Sequence, residues 1–205
     1  MGQDSDVSET RPRFSIVTVC LNSAETIGET VDSVLMQHGV SVEHVIKDGG
    51  SSDETLAIAR AHNPEARVVT QPDRGVYDAM NQGFGHARGE IVAFLNSDDY
   101  YAHPDVLRTV DGTFAASGCD IAYGNILMID SERRVLRAWR TGPVAARSLR
   151  GQQLPHPAVF VSRRALARIE PPFDPSYRYA ADLKQQLILI ERMGLMATRV
   201  DDSLT

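Results

Sequence analysis

Gly89–Asp99 reads GEIVAFLNSDD, and the fold is decided there. Ile91–Leu95 is an unbroken apolar run of strand length, closed by the polar turn Asn96-Ser97-Asp98-Asp99. A run without polar alternation has both faces covered, as in the central strand of a parallel sheet. Phe14–Val19 (FSIVTV) has the same character, Val42–Lys47 is a second strand, and Arg67–Thr70 is a short third. Helical stripes fall between them. Ile27, Val31, Val34 and Leu35 recur at i, i+4, i+7 and i+8, in a helix ending near Gly39. Ser51 and Glu54 have capping-box spacing ahead of Leu56, Ile58 and Ala59. Val76, Met80 and Phe84 mark a helix that starts after Gly75. Strands alternating with helices predict an α/β fold, a mostly parallel sheet with helices on both faces.

Beyond Asp120 the pattern changes. Ile121–Tyr123, Ile126–Ile129, Val135–Trp139 and Ala158–Val161 read as short strands of a mixed or antiparallel extension. Gly142–Pro157 is loop-like, and Leu183–Met193 reads as an amphipathic helix. The expected organisation is one domain over 13–205, preceded by a flexible leader at 1–12 that is polar and lacks the apolar core of a signal peptide. Of the 205 residues, 42% are hydrophobic and 23% charged, which excludes a wholly disordered chain. No apolar run approaches the ~20 residues of a membrane span. Cys20 and Cys119 are too few for a disulfide framework and fit a reducing cytoplasm.

The net charge is −6, but nine arginines and no acid lie between Arg133 and Arg168, leaving −15 on the rest. A basic lobe could face substrate phosphates or an anionic membrane surface. Composition alone is the other reading, since the chain has 19 Arg and only two Lys, Lys47 and Lys184. An acidic chain with little aromatic interleaving among its arginines is a poor nucleic-acid binder.

In an open parallel sheet, ligands bind outside the carboxyl ends of the strands. The four expected strands end at Cys20-Leu21-Asn22-Ser23, Asp48-Gly49-Gly50-Ser51, Asp73-Arg74-Gly75 and Asn96-Ser97-Asp98-Asp99. One such turn is ordinary; four on one rim indicate a site. Neither G-x-x-x-x-G-K-[ST] nor a G-x-G-x-x-G after the first strand is present, which disfavours P-loop and hydride-transfer chemistry. Gly83-x-Gly85 lies inside a helical pattern and suits close helix packing. Asp98-Asp99 suits a hard cation bridging to a diphosphate, with His103 or His156 as a possible third ligand; a cap for a helix after Pro104 is the plainer reading.

These residues together resemble a known family. SIVTVCLNSAETI (15–27), IKDGGSSDET (46–55), QPDRGVYDAMNQG (71–83), GEIVAFLNSDD (89–99), YGN (123–125), HPAVF (156–160) and AADLKQQL (180–187) resemble the inverting family-2 glycosyltransferases of the GT-A fold, in particular the short bacterial ones of surface-polysaccharide and glycolipid assembly. The resemblance implies a nucleoside-diphosphate-sugar donor, a divalent metal (Mn2+ or Mg2+) and transfer to a hydroxyl of a saccharide or lipid-linked acceptor, with peripheral membrane contact in the second case. It divides the chain into a nucleotide-sugar half (13–118) and an acceptor half (119–205). By motif match, Thr18, Cys20, Asn22 and Asp48 are expected at the nucleoside, Arg74 and Asp78 at base and ribose, and Asn96, Ser97 and Asp98 at the sugar side. Asp99 and His156 match the metal side, and Asp182 the general base, although its position also suits an N-cap. The Gln-x-x-Arg-Trp element of processive synthases is missing, which points to transfer of a single sugar. The alternatives are a sugar nucleotidyltransferase, which would want a Gly-rich basic loop after the first strand, and a non-catalytic nucleotide-binding relative.

Overall fold

In the computed structural model, residues 11–144, 149 and 151–205 are described. Most of the expected leader, and residues 145–148 and 150 of the expected loop, lie outside them. The first half alternates as its periodicity requires: β1 (Phe14–Cys20), α1 (Ile27–Leu35), β2 (Val42–Asp48), α2 (Thr55–His62), β3 (Arg67–Thr70), α3 (Val76–Phe84), β4 (Ile91–Asn96) and α4 (Val106–Ser117). β5 (Ile121–Ile129), β6 (Val135–Trp139), β7 (Val159–Ser162), α5 (Arg163–Leu166), α6 (Ala181–Gln186) and β8 (Ala197–Ser203) follow.

The sheet runs β3-β2-β1-β4-β7-β5-β6, with β8 beside β5. β1 through β4 pair in parallel, whereas β7 is antiparallel to both β4 and β5. Side chains alternate across a strand. Val17, Val19, Val92 and Phe94 therefore pack with Met80 of α3, Phe173 and Leu189 on one face. Phe14, Ile16, Ile91, Ala93 and Leu95 pack with Val34 of α1 and with α4 on the other.

Two glycines permit close packing. A Cβ on Gly83 would lie 2.4 Å from Val17 Cγ1, so α3 rests directly on the sheet, as its Gly-x-Gly pattern suggests. A Cβ on Gly124 would lie 2.4 Å from Leu204 Cδ1. The expected break between 123 and 126 is thus a close approach inside one continuous strand, β5. β8 escapes sequence reading because only Val200 of its seven residues is buried. The expected last helix is α6 followed by a π-helical stretch at Leu187–Arg192. α2 begins later than the capping-box spacing suggests, because the Ser51 hydroxyl donates to Asp48 Oδ1 at 2.5 Å. Asp53 Oδ1 instead accepts from Thr55 N at 3.0 Å.

Several arginines of the acid-free segment find acids elsewhere: Arg133 meets Glu29, Arg134 meets Asp130 and Glu132, and Arg164 meets Asp120. Part of the basic lobe is neutralised in space.

His44 is buried beneath α1 and α2, its Nε2 2.9 Å from Thr18 Oγ1 and its Nδ1 without a partner among the described residues. Burial pushes its pKa down to about 4. A histidine buried in its neutral form contributes stability that is present above its unfolded pKa of ~6.5 and is lost as pH falls through the folded value. Urea unfolding of His44→Gln between pH 7 and 4 is expected to show an acid limb flatter than wild type by up to about 3 kcal/mol. Parallel profiles would contradict this origin of acid sensitivity.

Candidate active site

The parallel strands deliver four loops to one rim, and the loops are cross-bonded. Asn22, at φ 51°, accepts at Oδ1 from Ser52 N (2.9 Å), while its own N–H donates to Ser51 Oγ (2.8 Å). Ser23 N donates to Thr55 Oγ1 at 2.7 Å, and Ser97 Oγ donates to Ser23 Oγ at 2.8 Å. The ends of β1, β2 and β4 therefore form one unit.

Beneath them sits Lys47, fully buried, its Nζ donating to Asp48 O (2.9 Å), Gln71 O (2.7 Å) and Asp73 Oδ2 (2.9 Å). An ammonium has three N–H donors, and all are used. Nothing in the motif reading marked Lys47 for a role; a lysine inside an apolar strand was the available signal. Asp48 is also fully buried. Its oxygens accept from Gly50 N (3.1 Å), Ser51 N (3.1 and 3.2 Å) and the Ser51 hydroxyl. The carboxylate thus organises its own loop, and a nucleobase N–H would have to share oxygens already engaged. Thr18 and Cys20 differ further from expectation. Both side chains are buried under the helices, Thr18 against His44 and Cys20 among Ile27, Val31 and Ile46. Even-numbered positions of β1 point into that face, so only their backbones can serve the rim.

Arg74 and Asp78 open α3. Asp78 Oδ2 accepts from Arg74 N at 2.9 Å, with Arg74 Nε at 3.5 Å, and these bonds hold its carboxyl below the usual range. At the end of β4, Asn96 Nδ2 donates to Asp99 Oδ2 at 2.9 Å. Desolvation, and then the neighbouring Asp98 charge, push Asp99 up to about 6. Neither aspartate caps α4, whose N-cap is Asp105. His103 is engaged by Asp202 at 3.0 Å.

Asp182 is not a cap either. Ala180 holds the N-cap position, and Asp182 lies inside the first turn of α6, nearly buried. Its Oδ1 accepts from Tyr77 Oη and its Oδ2 from Gln153 Nε2, each at 3.0 Å. Burial and the Asp182 charge raise the Tyr77 pKa, which keeps the phenol protonated as the donor. Tyr77 stacks on Phe173 at 5.8 Å, and Phe173 meets both Phe94 and His156 edge-on. His156 opens the 3-10 turn before β7; burial lowers its pKa, with Asp182 opposing, and its Nε2 is a buried atom with no partner among the described residues. Gln186 fixes this segment by a reciprocal pair with Leu154 N and O, both at 3.0 Å. The structure therefore joins Asp182 to His156, and adds Tyr77, Gln153, Gln186 and Phe173, which the motif reading missed.

The profile of glycosyl transferase family 2 matches residues 15–169. The chain belongs to that family. A PGL/p-HBAD biosynthesis glycosyltransferase of Mycobacterium tuberculosis is 35% identical over 176 residues, covering 83% of this chain and 67% of its own length. Succinoglycan biosynthesis protein ExoO of Rhizobium meliloti is 37% identical over 161 residues, 78% of this chain and 44% of that protein. Among solved structures, the mannosyltransferase PcManGT of Pyrobaculum calidifontis, in complex with GDP-Man and Mn2+, superposes with a TM-score of 0.70 at 23% identity, over 95% of this chain and 56% of that one. This last likeness is one of fold, the GT-A fold of glycosyltransferases.

The family-2 glycosyltransferase rim fits a divalent cation. Among the described residues no three His, Cys, Asp or Glu gather as a self-sufficient metal cage. A Mg2+-like ion needs only one or two carboxylates when substrate phosphates supply the rest. Asp98 and Asp99 provide that acidic pair, and the desolvated Asp99 is an anion short of a counter-charge.

Lys47 and Asp73 give the site's stability test. Asp73→Ala strands a buried ammonium and is expected to destabilise by about 3–5 kcal/mol. Lys47→Met/Asp73→Ala should recover part of that loss in urea unfolding. A double variant no more stable than the single one would show that the pair is not the source.

Proposed function

We propose that this glycosyltransferase moves one sugar from a nucleoside-diphosphate-sugar to an acceptor hydroxyl with inversion, in the assembly of a surface polysaccharide or glycolipid. The observation that carries the reading is the Tyr77–Asp182 hydrogen bond, which ties the start of α3, on the donor rim, to a buried carboxylate on the other side of the cleft. The names of the mycobacterial and rhizobial relatives support the biosynthetic setting.

In this reading the backbones at Thr18 and Cys20, with Asn22, Asp48, Arg74 and Asp78, form the nucleoside side. Asn96, Ser97 and Asp98 face the sugar. Asp98 and Asp99 would hold Mn2+ or Mg2+, and His156 comes to the metal side by its motif match alone, since no three such ligands gather among the described residues. Such an ion, when bound, neutralises charge that develops on the diphosphate as it leaves. An acceptor hydroxyl is a weak nucleophile at neutral pH and needs a base within hydrogen-bond reach. Asp182 takes its proton while the acceptor oxygen bonds to the anomeric carbon. The bond from that carbon to the diphosphate oxygen breaks, and its electron pair leaves with the diphosphate. A single displacement from the opposite face inverts the centre. Tyr77 and Gln153 position the carboxylate, and burial keeps His156 neutral beside it. A lipid-linked acceptor would bring the protein to the membrane surface peripherally; no helix among the described residues is long and apolar enough to cross a membrane.

A panel of UDP-, GDP- and dTDP-sugars tests the reading through donor hydrolysis and thermal shift, with and without Mn2+. One donor is expected to be hydrolysed slowly in a metal-dependent way, and no response to any donor would overturn the proposal. Asp182→Asn is expected to keep donor affinity, cost about 1 kcal/mol of stability through one lost hydrogen bond, and lower transfer ~10²–10⁴-fold. Near-wild-type transfer by that variant would remove Asp182 as the base. Asp99→Asn should fold and lose the Mn2+-dependent part of donor binding; retention of that part would sink the metal assignment.

A further inference from the structure

Within QPDRGVYDAMNQG (71–83), Tyr77 and Asp78 have parts in the proposed reaction, and Asn81 has none. Asn81 stands one turn after Tyr77 on the same face of α3. Its amide meets one residue twice: Nδ2 donates to Phe173 O at 2.7 Å, and Oδ1 accepts from Phe173 N at 2.9 Å. Phe173 is fully buried, in a segment that belongs to neither helix nor strand. Its backbone groups therefore depend on Asn81, and an amide is the side chain that offers a donor and an acceptor together.

The neighbours of Phe173 reach the other way. Pro172 O accepts from Gln185 Nε2 at 3.2 Å, and Asp174 pairs with Lys184. Gln185 and Lys184 belong to α6, the helix that carries Asp182. Residues 172–174 are thus a bridge, tied to α3 at its middle and to α6 at both ends. α6 needs such a tie. It is six residues long, its N-cap Ala180 lies at φ 64°, and no side chain caps it. Even with the π-helical stretch that continues it, a helix of this length is marginal alone, so tertiary bonds decide where it stands. The bridge also carries a ring. Phe173 stacks on Tyr77, centroids 5.8 Å apart and planes 22° from parallel, and Tyr77 Oη donates to Asp182 Oδ1 at 3.0 Å.

We propose that Asn81 is a positioning residue for the transfer: by holding Phe173 against Tyr77, it fixes where the Tyr77 hydroxyl holds the Asp182 carboxylate. The inference rests on Asp182 being the base of a sugar transfer. Losing the amide leaves two buried backbone groups unpaired, and the bridge shifts to satisfy them. The Phe173 ring moves with its backbone, and Tyr77 loses the surface it stacks on. A displacement of about 1 Å at a reacting group is enough to slow a reaction by up to ~10²-fold.

The test uses the full chain and the UDP-, GDP- or dTDP-sugar that the wild type hydrolyses, water standing in for the acceptor. Asn81→Ala is expected to lower Mn2+-dependent hydrolysis roughly 10- to 100-fold, with unchanged affinity for the matching nucleoside diphosphate. Assays run well below the lowest melting temperature, so that every variant is folded. Tyr77→Phe keeps the ring and removes the hydroxyl; in that background Asn81→Ala should cost far less than it does alone. A purely structural residue would lower the melting temperature and cost the same in both backgrounds. Exchange of the Phe173 amide, read by mass spectrometry, should quicken in Asn81→Ala. Phe173→Leu is the second variant. It keeps the backbone bonds to Asn81, removes the ring from Tyr77, and should lower hydrolysis in the same way even if Asn81→Ala does not fold. Unchanged hydrolysis in either variant, equal cost in the two backgrounds, or an unchanged Phe173 amide would overturn the inference. Absence of wild-type hydrolysis with every donor would instead remove the transferase reading, and this inference with it.

Discussion

A lysine ammonium enclosed in the interior sets the conditions for the rim at the carboxyl ends of β2 and β3. Lys47 has no exposure to water, and an unpaired charge there would be prohibitively costly. The fold answers with three acceptors from three consecutive parts of the rim: the end of β2, the residue after β3, and Asp73. Satisfying one charge therefore fixes the relative positions of two loops before any ligand arrives. The Asp48 carboxylate does the same from the opposite face of β2, drawing Gly50 and Ser51 around itself. Such a rim is preorganised, and a preorganised site loses less free energy in ordering when it binds.

The segments around Asp182 are built on another principle, the reciprocal amide pair. Gln186 holds both backbone groups of Leu154, and Asn81 holds both of Phe173, donating to its carbonyl at 2.7 Å and accepting from its N–H at 2.9 Å. Each pair satisfies buried groups that have no strand or helix partner. Asn81 belongs to α3, so the helix that opens at the strand-end rim also pins the loop carrying Phe173. Through Tyr77 the same helix touches Asp182. The strand-end rim and the segment around Asp182 are therefore joined at α3, which itself sits tight on the sheet because residue 83 is glycine.

The parts of this design visible in the sequence were those governed by periodicity. β1 to β4 announce themselves as apolar runs, and their carboxyl ends had to share a rim once the sheet was parallel. Motif spacing singled out Asp182, Asp98, Asp99 and His156, and the structure brings Asp182 and His156 together. What sequence could not supply was direction. Thr18 and Cys20 fall on the inward parity of β1, which only the sheet's covering helices define. Asp182 at the start of a helix suits a cap as well as a base, and only the structure shows that Ala180 holds the cap position instead. The arginine-rich segment looked like a lobe of charge because its acids, Glu29 and Asp120 among them, are distant in the chain and near in space. β8 carries too little apolar surface for any periodicity to show.

The protonation states around Asp182 complete the physical picture. Tyr77 has its pKa raised by burial and by the carboxylate it faces, and His156 has its pKa lowered by burial. Both shifts favour the neutral form, so a phenol and an imidazole surround the aspartate without adding charge. A protonated histidine there would compete for the proton acceptor as an ion pair, and an ionised tyrosine would repel it. Neutral donors orient a carboxylate while leaving lone pairs for a third partner, since a carboxylate offers about four acceptor sites. Two are filled by Tyr77 and Gln153. The remaining capacity is what an incoming hydroxyl would use.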